Sequence, residues 1–345
     1  MKVLSLFTGM GGMDAGFSKE VQVHKNSVDS DFIEKKSTID DFVYLKRLPF
    51  EIVFQNDVLK CAQDVAEWNK WNHNYVSKDI RLLLEENYEF PEADVVCGGF
   101  PCQDFSHSGK RRGLESKRGT LYQCFVEVVK RVKPKMFVAE NVHGLLTMKG
   151  EPIKQIVSDF SEAGYDVKYQ LIKCEEFGIP QTRWRVIIMG LRNDINHTLG
   201  TDWNIIDYNK RTATLRDYFK HLEEPDVSDD PAQRVYSKAA KLDKGQGQRE
   251  IILDEPGPTM RAEHHGNIEF RRLDGGKNNE IDLKQRRLTV REAALIQTFS
   301  PDMILSDPLK TPNMVAYKPI GNAVPPLLGY LIAYKVWTVL KNNTD

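Results

Sequence analysis

The sequence predicts an α/β fold on a mostly parallel sheet, joined to a smaller and more irregular domain, and three observations carry that prediction. Short apolar runs recur at Met1 to Phe7, Glu51 to Phe54, Ala93 to Cys97, Lys135 to Ala139, Tyr165 to Ile172 and Trp184 to Gly190, with helical stretches between them. Runs such as Asp94-Val95-Val96-Cys97 and Met136-Phe137-Val138-Ala139 lack polar alternation, as expected of parallel strands covered on both faces. The chain's 345 residues, 41% of them hydrophobic, can bury one large core and a smaller one. In such sheets the chemistry gathers beyond the C-terminal ends of the strands.

Taken in order, the first strand runs into Phe7-Thr8-Gly9-Met10-Gly11-Gly12, which opens a helix through Asp14, Ala15 and Phe17. Residues from about Lys19 to Pro49 mix charges without clear periodicity and read as an insertion that delays the second strand. The large domain is expected over 1–191. From Arg192 to Arg286 the sequence turns polar and rich in turn formers, with Asp-Glu-Pro-Gly-Pro at 254–258 and Asp-Gly-Gly at 274–276, so 192–286 is expected as the second domain. Patterning returns in 287–345, where Thr289-Val290-Arg291-Glu292 forms a capping box ahead of Ala293 to Ile296. The apolar run Leu327 to Leu340, interrupted by Lys335, is short for a bilayer and reads as a buried helix.

Composition narrows the classes. Five cysteines at 61, 97, 102, 124 and 174 are odd in number and lack zinc-like pairing, which fits a reducing cytoplasm. No basic segment leads into an apolar stretch at the N-terminus, so a secretory signal is not expected. A net charge of -1 gives no global sign of a nucleic-acid binder. Basic residues do crowd at Lys110, Arg111, Arg112, Lys117 and Arg118, at Arg261, Arg271 and Arg272, and at Lys284, Arg286 and Arg287. Solvated surface is the plain reading of each cluster, although two of them flank motifs.

Several strand ends carry chemistry. The glycines of the first turn allow close backbone approach to a ligand at a helix N-terminus. The second strand ends at Asn56-Asp57, whose carboxylate can accept both ribose hydroxyls, and Asp79-Ile80 offers another acid. Either aspartate alone is equally a turn or cap residue; with the glycine turn they suggest a nucleoside cofactor. Gly98-Gly99-Phe100-Pro101-Cys102-Gln103 follows one buried strand and Glu140-Asn141-Val142 the next, which sets a carboxylate beside a thiol at one sheet edge.

Pro101-Cys102-Gln103, Glu140-Asn141-Val142, Gln181-Thr182-Arg183-Trp184-Arg185 and Gly321-Asn322-Ala323-Val324-Pro325-Pro326 resemble, in order, the motifs of DNA cytosine-C5 methyltransferases of the bacterial and phage restriction-modification type. The resemblance runs from Leu4 to about Pro326. It implies a Rossmann-like class I S-adenosylmethionine-dependent methyltransferase fold with a doubly wound, mostly parallel sheet, and 192–286 as a target-recognition domain. It implies methyl transfer from S-adenosylmethionine to C5 of a cytosine in duplex DNA, leaving S-adenosylhomocysteine, through a covalent bond from Cys102 to C6. Glu140 is then assigned to the cytosine N3 edge and Arg185 to O2, with Arg183 supporting the active-site loop and favouring the thiolate. Phe7 is assigned to the adenine ring, Gly9, Gly11 and Gly12 to the methionine end, Asp57 to the ribose and Asp79 to the adenine amino group, with Leu121, Asn322 and Ala323 completing the pocket. Two departures stand out: many members have glutamate where Asp57 stands and an aromatic where Val58 stands.

Because C5 and C6 are reached only from the base faces, the target cytosine must leave the stack. Residues from Gln103 to Gly119 match the family's mobile catalytic loop, and Gln103, Ser106, Ser108, Lys110, Arg111 and Arg112 are expected on DNA. Thr259-Met260 resembles the recognition domain's threonine-plus-aliphatic signature, which puts Thr259, Arg261, His264, His265 and Asn267 among its DNA contacts. His264-His265 has no further ligands at metal spacing, and no metal is expected. The expected partner is double-stranded DNA, met by a monomer, with a cognate restriction endonuclease as a possible functional companion and no membrane. Three alternatives stand beside this reading. Relatives that methylate cytosine in transfer RNA share the motif set but typically carry a Cys-Phe-Thr signature, absent here. A catalytically silent DNA-binding relative would not need Cys102, Glu140, Arg183 and Arg185 together. A nicotinamide-dependent dehydrogenase has no use for a Pro-Cys-Gln loop.

Overall fold

The computed structural model describes residues 1–71, 74–101, 121–195, 199, 204–206, 210–238, 251–262, 270–273, 283–305 and 317–341. A seven-stranded sheet forms its centre in the order β6-β5-β1-β7-β8-β10-β9. The strands are β1 (Lys2–Leu6), β5 (Glu51–Asn56), β6 (Tyr75–Val76), β7 (Val95–Gly98), β8 (Met136–Val142), β9 (Tyr165–Lys173) and β10 (Trp184–Arg192). β6, β5, β1, β7 and β8 are parallel neighbours, whereas β10 runs antiparallel to both β8 and β9. Strand order reverses at β1, so a crevice opens beyond the C-terminal ends of β1 and β7.

All six apolar runs become strands of this sheet. One differs in a way that matters: β8 does not stop at Ala139 but continues through Glu140, Asn141 and Val142. The cause is its neighbour, since Val142, Asn141 and Glu140 stand opposite Arg185, Val186 and Ile187 of β10, and the antiparallel ladder carries the strand three residues further.

Helices cover both faces. On one lie α1 (Gly12–Ser18) and the C-terminal α9 (Pro326–Lys341), with Val3, Val95, Val138 and Ile187 packed toward Leu327, Leu328 and Leu331. On the other lie α3 (Ile80–Glu85), α4 (Leu121–Val132) and α5 (Pro152–Glu162), which meet Leu4, Val96, Phe137 and Ile188. The remaining helices are α2 (Lys60–Trp68), α6 (Leu215–Phe219), α7 (Val290–Ile296) and α8 (Tyr317–Asn322). α7 starts on the expected capping box: the Thr289 hydroxyl accepts from the Glu292 N–H, and the Glu292 carboxylate accepts from the Thr289 N–H at 2.9 Å. Taken together, Tyr317–Lys341 is long and apolar enough to cross a bilayer, longer than the sequence run suggested, yet 78% of its apolar window is buried inside the protein.

The insertion has structure of its own. β2 (Gln22–His24), β3 (Ile33–Lys36) and β4 (Phe42–Leu45) form an antiparallel sheet in the order β2-β4-β3. It packs against α6 of the 192–286 segment: Ser27 and Tyr218 share a hydroxyl bond of 2.8 Å, Asn26 donates to Asp217 at 3.1 Å, and Phe42 meets Tyr218 edge to face. In that segment β11 (Phe270–Leu273) and β12 (Leu283–Arg287) pair as a hairpin. The basic cluster at its end is neither solvated surface nor open to DNA at two of its members. Arg286 is 6% exposed and doubly paired to Glu292 at 2.9 Å, and Arg287 is 1% exposed. Burying an arginine is tolerable only with such partners.

α1 crosses α9 through glycines. A Cβ on Gly16 would lie 2.1 Å from the Gly329 carbonyl carbon, and one on Gly12 would lie 2.1 Å from the Val324 carbonyl oxygen. Both obstacles are backbone. Gly16→Ala is therefore expected to destabilise the protein by about 2–3 kcal/mol or more, because two helix backbones must separate. Thermal denaturation checks this, and a midpoint within about 1 °C of the parent would disprove the close approach.

Candidate active site

The crevice at the β1–β7 end is a cavity of about 520 Å³, within the usual range for a small-molecule pocket. Its walls come from the first turn, the ends of β5 and β8, the start of α3, the Gly98-to-Pro101 segment, Leu121, Arg183, Arg185 and the loop from Asn322 to Val324.

The first turn is shaped by unusual backbone. Phe7 has φ 52°, a strained conformation for a residue with a side chain, and it ends β1 facing the cavity. Gly9 has φ +54°, and the space a Cβ would fill holds nothing within 4 Å, which leaves a backbone cradle open to a ligand. Gly9 also donates its N–H to Asp57 at 2.8 Å, and the other Asp57 oxygen accepts from the Leu59 N–H at 2.8 Å. Burial raises the Asp57 pKa, against these backbone donors. Gly11 and Gly12 are placed differently from expectation. Neither lines the cavity: Gly11 takes φ +72° to cap α1 against Trp71, and Gly12 makes room for Val324. In this structure they shape the turn and the start of α1.

Asp79 lines the cavity while capping α3, its carboxylate accepting the Arg81 N–H at 2.9 Å and pairing with the Arg81 guanidinium, whose hydrogen bonds hold its pKa down. Leu121, Asn322 and Ala323 are in the wall as expected, and Val58, 60% exposed, adds a small apolar surface where an aromatic would cover more. An open backbone cradle, carboxylates at two strand or helix ends and an apolar wall form a cavity whose chemistry fits S-adenosylmethionine.

The other end of the cavity belongs to Glu140 and Arg185. They stand 2.7 Å apart, Nε to Oε1, each about one-tenth exposed, at the rims of adjacent strands. The contact is a close ion pair whose N–H is not aligned for a linear hydrogen bond. Arg185 also donates to the Trp184 carbonyl at 2.7 Å, so its direction is fixed. A Cβ on Gly99 would come within 2.8 Å of Glu140 Oε2, which explains a glycine there. Asn141 donates to the Phe100 carbonyl at 3.1 Å and so ties the end of β8 to the segment that leads to Pro101, itself in the cavity wall. Sequence reasoning assigned no role to Asn141 or Gly99; adjacency to Glu140 and to the Pro-Cys-Gln segment was the available signal.

Arg183 is 1% exposed, which excludes a surface salt bridge. It donates to the carbonyls of Met260 at 2.9 Å, Gly321 at 3.1 Å and Ala323 at 3.0 Å. It therefore braces the Asn322-containing loop against the segment around Met260. Desolvation lowers its pKa to about 9, Arg185 contributing, so it stays protonated at neutral pH. Beside it, Gln181 bonds Gln297 at 2.8 Å and accepts the Met260 N–H at 2.9 Å. Thr259 is tied in as well, its hydroxyl donating to the Thr182 carbonyl at 2.6 Å, while Arg261 is exposed. Cys102, Gln103, Ser106, Ser108, Lys110, Arg111, Arg112, His264, His265 and Asn267 lie outside the described residues.

Lysine at 183 cannot span three carbonyls with a planar fork. Arg183→Lys should lower unfolding stability by about 2–3 kcal/mol in urea melts. An unchanged midpoint would mean that the three bonds contribute nothing net.

Comparison with known proteins agrees with this geometry. Residues 1–337 match the family C-5 cytosine-specific DNA methylase. The Type II methyltransferase M.BspRI of Lysinibacillus sphaericus is 35% identical, over 97% of this chain and 81% of its own length. M.BsuRI of Bacillus subtilis is 31% identical, over 98% and 80%. Among solved structures, the S. pombe Dnmt2 methyltransferase superposes with a TM-score of 0.67 over all of both chains at 17% identity, a likeness of fold. With its family shown along nearly the whole chain and a cavity suited to the cofactor, the chain belongs to the C-5 cytosine-specific DNA methylases and transfers the methyl group of S-adenosylmethionine to C5 of cytosine in DNA.

Proposed function

We propose that the transfer runs through a covalent intermediate in which the Cys102 thiolate adds to C6 of a flipped cytosine, with Glu140 and Arg185 holding the base. The observation that carries this reading is the fixed Glu140–Arg185 pair at one end of the cavity, 2.7 Å apart, beside Pro101, the residue that precedes Cys102.

C5 of cytosine is a weak nucleophile until something adds across the 5,6 double bond. As the Cys102 sulfur bonds to C6, negative charge moves toward N3 and O2. Glu140 meets N3 with a proton or hydrogen bond, and Arg185, already anchored on the Trp184 carbonyl, meets O2. S-adenosylmethionine, when bound, supplies the methyl group to the enamine-like C5. Loss of the C5 proton then expels the Cys102 thiolate and restores aromaticity. Arg183, buried and charged nearby, favours the thiolate from a distance and chiefly braces the loop around Asn322.

In this reading 192–286 is the target-recognition module. Arg261, exposed next to the buried Met260, is its described DNA contact; Thr259 serves as the tie that holds Arg261 in register with Thr182. Gln103 to Gly119 forms the loop that closes on the phosphates. The likeness to Type II methyltransferases along most of both chains supports a role beside a restriction endonuclease.

Duplex DNA carrying 5-fluorocytosine at the target should trap a covalent protein–DNA complex, stable in denaturing gels, because the fluorine blocks release from C5. Cys102→Ala should form none; an adduct in that variant would sink the assignment of the nucleophile. Gly99→Ala pushes on the Glu140 carboxylate, and should lower kcat about a hundredfold through misplacement while leaving cofactor affinity, measured by calorimetry, within about twofold. A normal kcat would show that the Glu140 carboxylate accommodates the added methyl group without leaving its place.

A further inference from the structure

Asp14 is an unused charge in the wall of the cavity. It lies on α1, is 1% exposed and lines the cofactor half together with Ser5, Phe7, Thr8 and Gly9. Its oxygens accept from the Ser5 hydroxyl and from the Gln55 amide, both at 2.6 Å. The Thr8 hydroxyl in turn donates to Ser5 Oγ at 2.9 Å, so the chain of donors runs Thr8 to Ser5 to Asp14 and ends on a carboxylate that only accepts.

The other cavity acids at this depth are accounted for. Asp79 is paired with Arg81 and Glu140 with Arg185. Asp57 and Asp14 receive hydrogen bonds only from neutral groups. Asp57 has its two backbone donors at the turn, whereas Asp14 is buried beneath it. Lys19, the C-cap of α1, attracts Asp14 through space without forming an ion pair with it, and its ammonium lies over the Trp71 ring at 5.3 Å. The remaining ionisable neighbours, Cys97 on β7 and Tyr75 on β6, both have their pKa raised and stay neutral. Burial without a paired cation also pushes the Asp14 carboxyl upward. A buried carboxylate with no ion pair among the described residues gains most from a cation brought into the same low-dielectric space.

We propose that Asp14 is the counter-charge for the cofactor's sulfonium: it makes the cavity bind the methyl donor in preference to the neutral thioether left after transfer, and so speeds product release. Sulfonium and thioether differ by one unit of charge and one methyl group, while their adenosine and amino-acid ends are identical. Contacts to those shared ends hold both alike; only a charge in reach of the sulfur discriminates them. At an effective dielectric of about 20, unit charges about 12 Å apart interact strongly enough to change affinity about tenfold. Asp14 is in this sense a positioning residue for charge, acting through the turn without touching the reacting atoms. The inference rests on the cavity being the cofactor site.

The test is calorimetry of the intact protein with three ligands: S-adenosylmethionine, S-adenosylhomocysteine, and the donor analogue that carries an ammonium in place of the sulfonium. Asp14→Asn keeps shape and the Ser5 contact but removes the charge. It should weaken both cationic ligands about tenfold and leave the neutral product within about twofold. Asp14→Asn combined with Gln55→Glu returns a carboxylate to the other side of the same hydrogen bond, and should restore the preference for the cations. Equal losses for all three ligands, or no loss, would overturn the proposal by making Asp14 a part of the fold alone; so would failure of the double variant to recover discrimination. Phe7→Ala separates this from the cavity assignment, since it should weaken all three ligands alike, and if it weakens none the cavity is not the cofactor site.

Discussion

The buried guanidinium of Arg183 is the point on which the rest of the site depends. Three carbonyls from two places in the chain, Met260 and the Gly321–Ala323 loop, converge on one side chain that is almost wholly buried. Its two terminal nitrogens are satisfied by these carbonyls while Nε has no hydrogen-bond partner, so losing either segment would leave more of a buried charge without partners. Gln181 and Gln297 extend the same logic with neutral amides, reaching Ile296, Ile320 and Met260. The recognition segment, the start of β10 and the loop around Asn322 are thereby one unit.

That unit explains how neighbouring residues in sequence do different work. Arg183 and Arg185 are separated by one position, yet Arg183 looks into the protein and Arg185 onto Glu140. Trp184, between them, points to the opposite side and donates to Glu175 at 2.8 Å. Alternation at the rim of β10 turns Trp184 away from the side of Arg183 and Arg185, so one short motif yields a brace and a cation paired with Glu140. On the cofactor side the same economy appears in the glycines: Gly9 is open to a ligand, while Gly11 and Gly12 serve the turn and the packing of α1.

The insertion acquires a mechanical role. Its small sheet is anchored on one side to α9, through Tyr330 donating to the Lys46 carbonyl at 2.9 Å, and on the other to α6 through Ser27, Asn26 and Phe42. Arg211 pairs with Asp29 across the same boundary. It thus links α9 to the 192–286 segment and gives that segment a point of attachment besides Arg183. Nothing in its charge-mixed sequence shows this, because the contacts come from residues nearly two hundred positions away.

By itself the sequence determined the strand runs, the capping box at Thr289, the family and the chemistry of the reaction. Those features are local: apolar runs, a capping spacing and motif spellings are properties of adjacent residues, and they survive being read one window at a time. Tertiary structure decided what required two distant segments to meet. It carried β8 through Glu140 because β10 lay alongside, turned Arg286 from a basic patch into a buried partner of Glu292, and withdrew Gly11 and Gly12 from the pocket. It also buried Asp14 without an ion-pair partner beside the cavity. Whether a charged side chain faces water, a partner or a ligand depends on desolvation and on which donors converge on it, and both are set only when the chain has closed on itself.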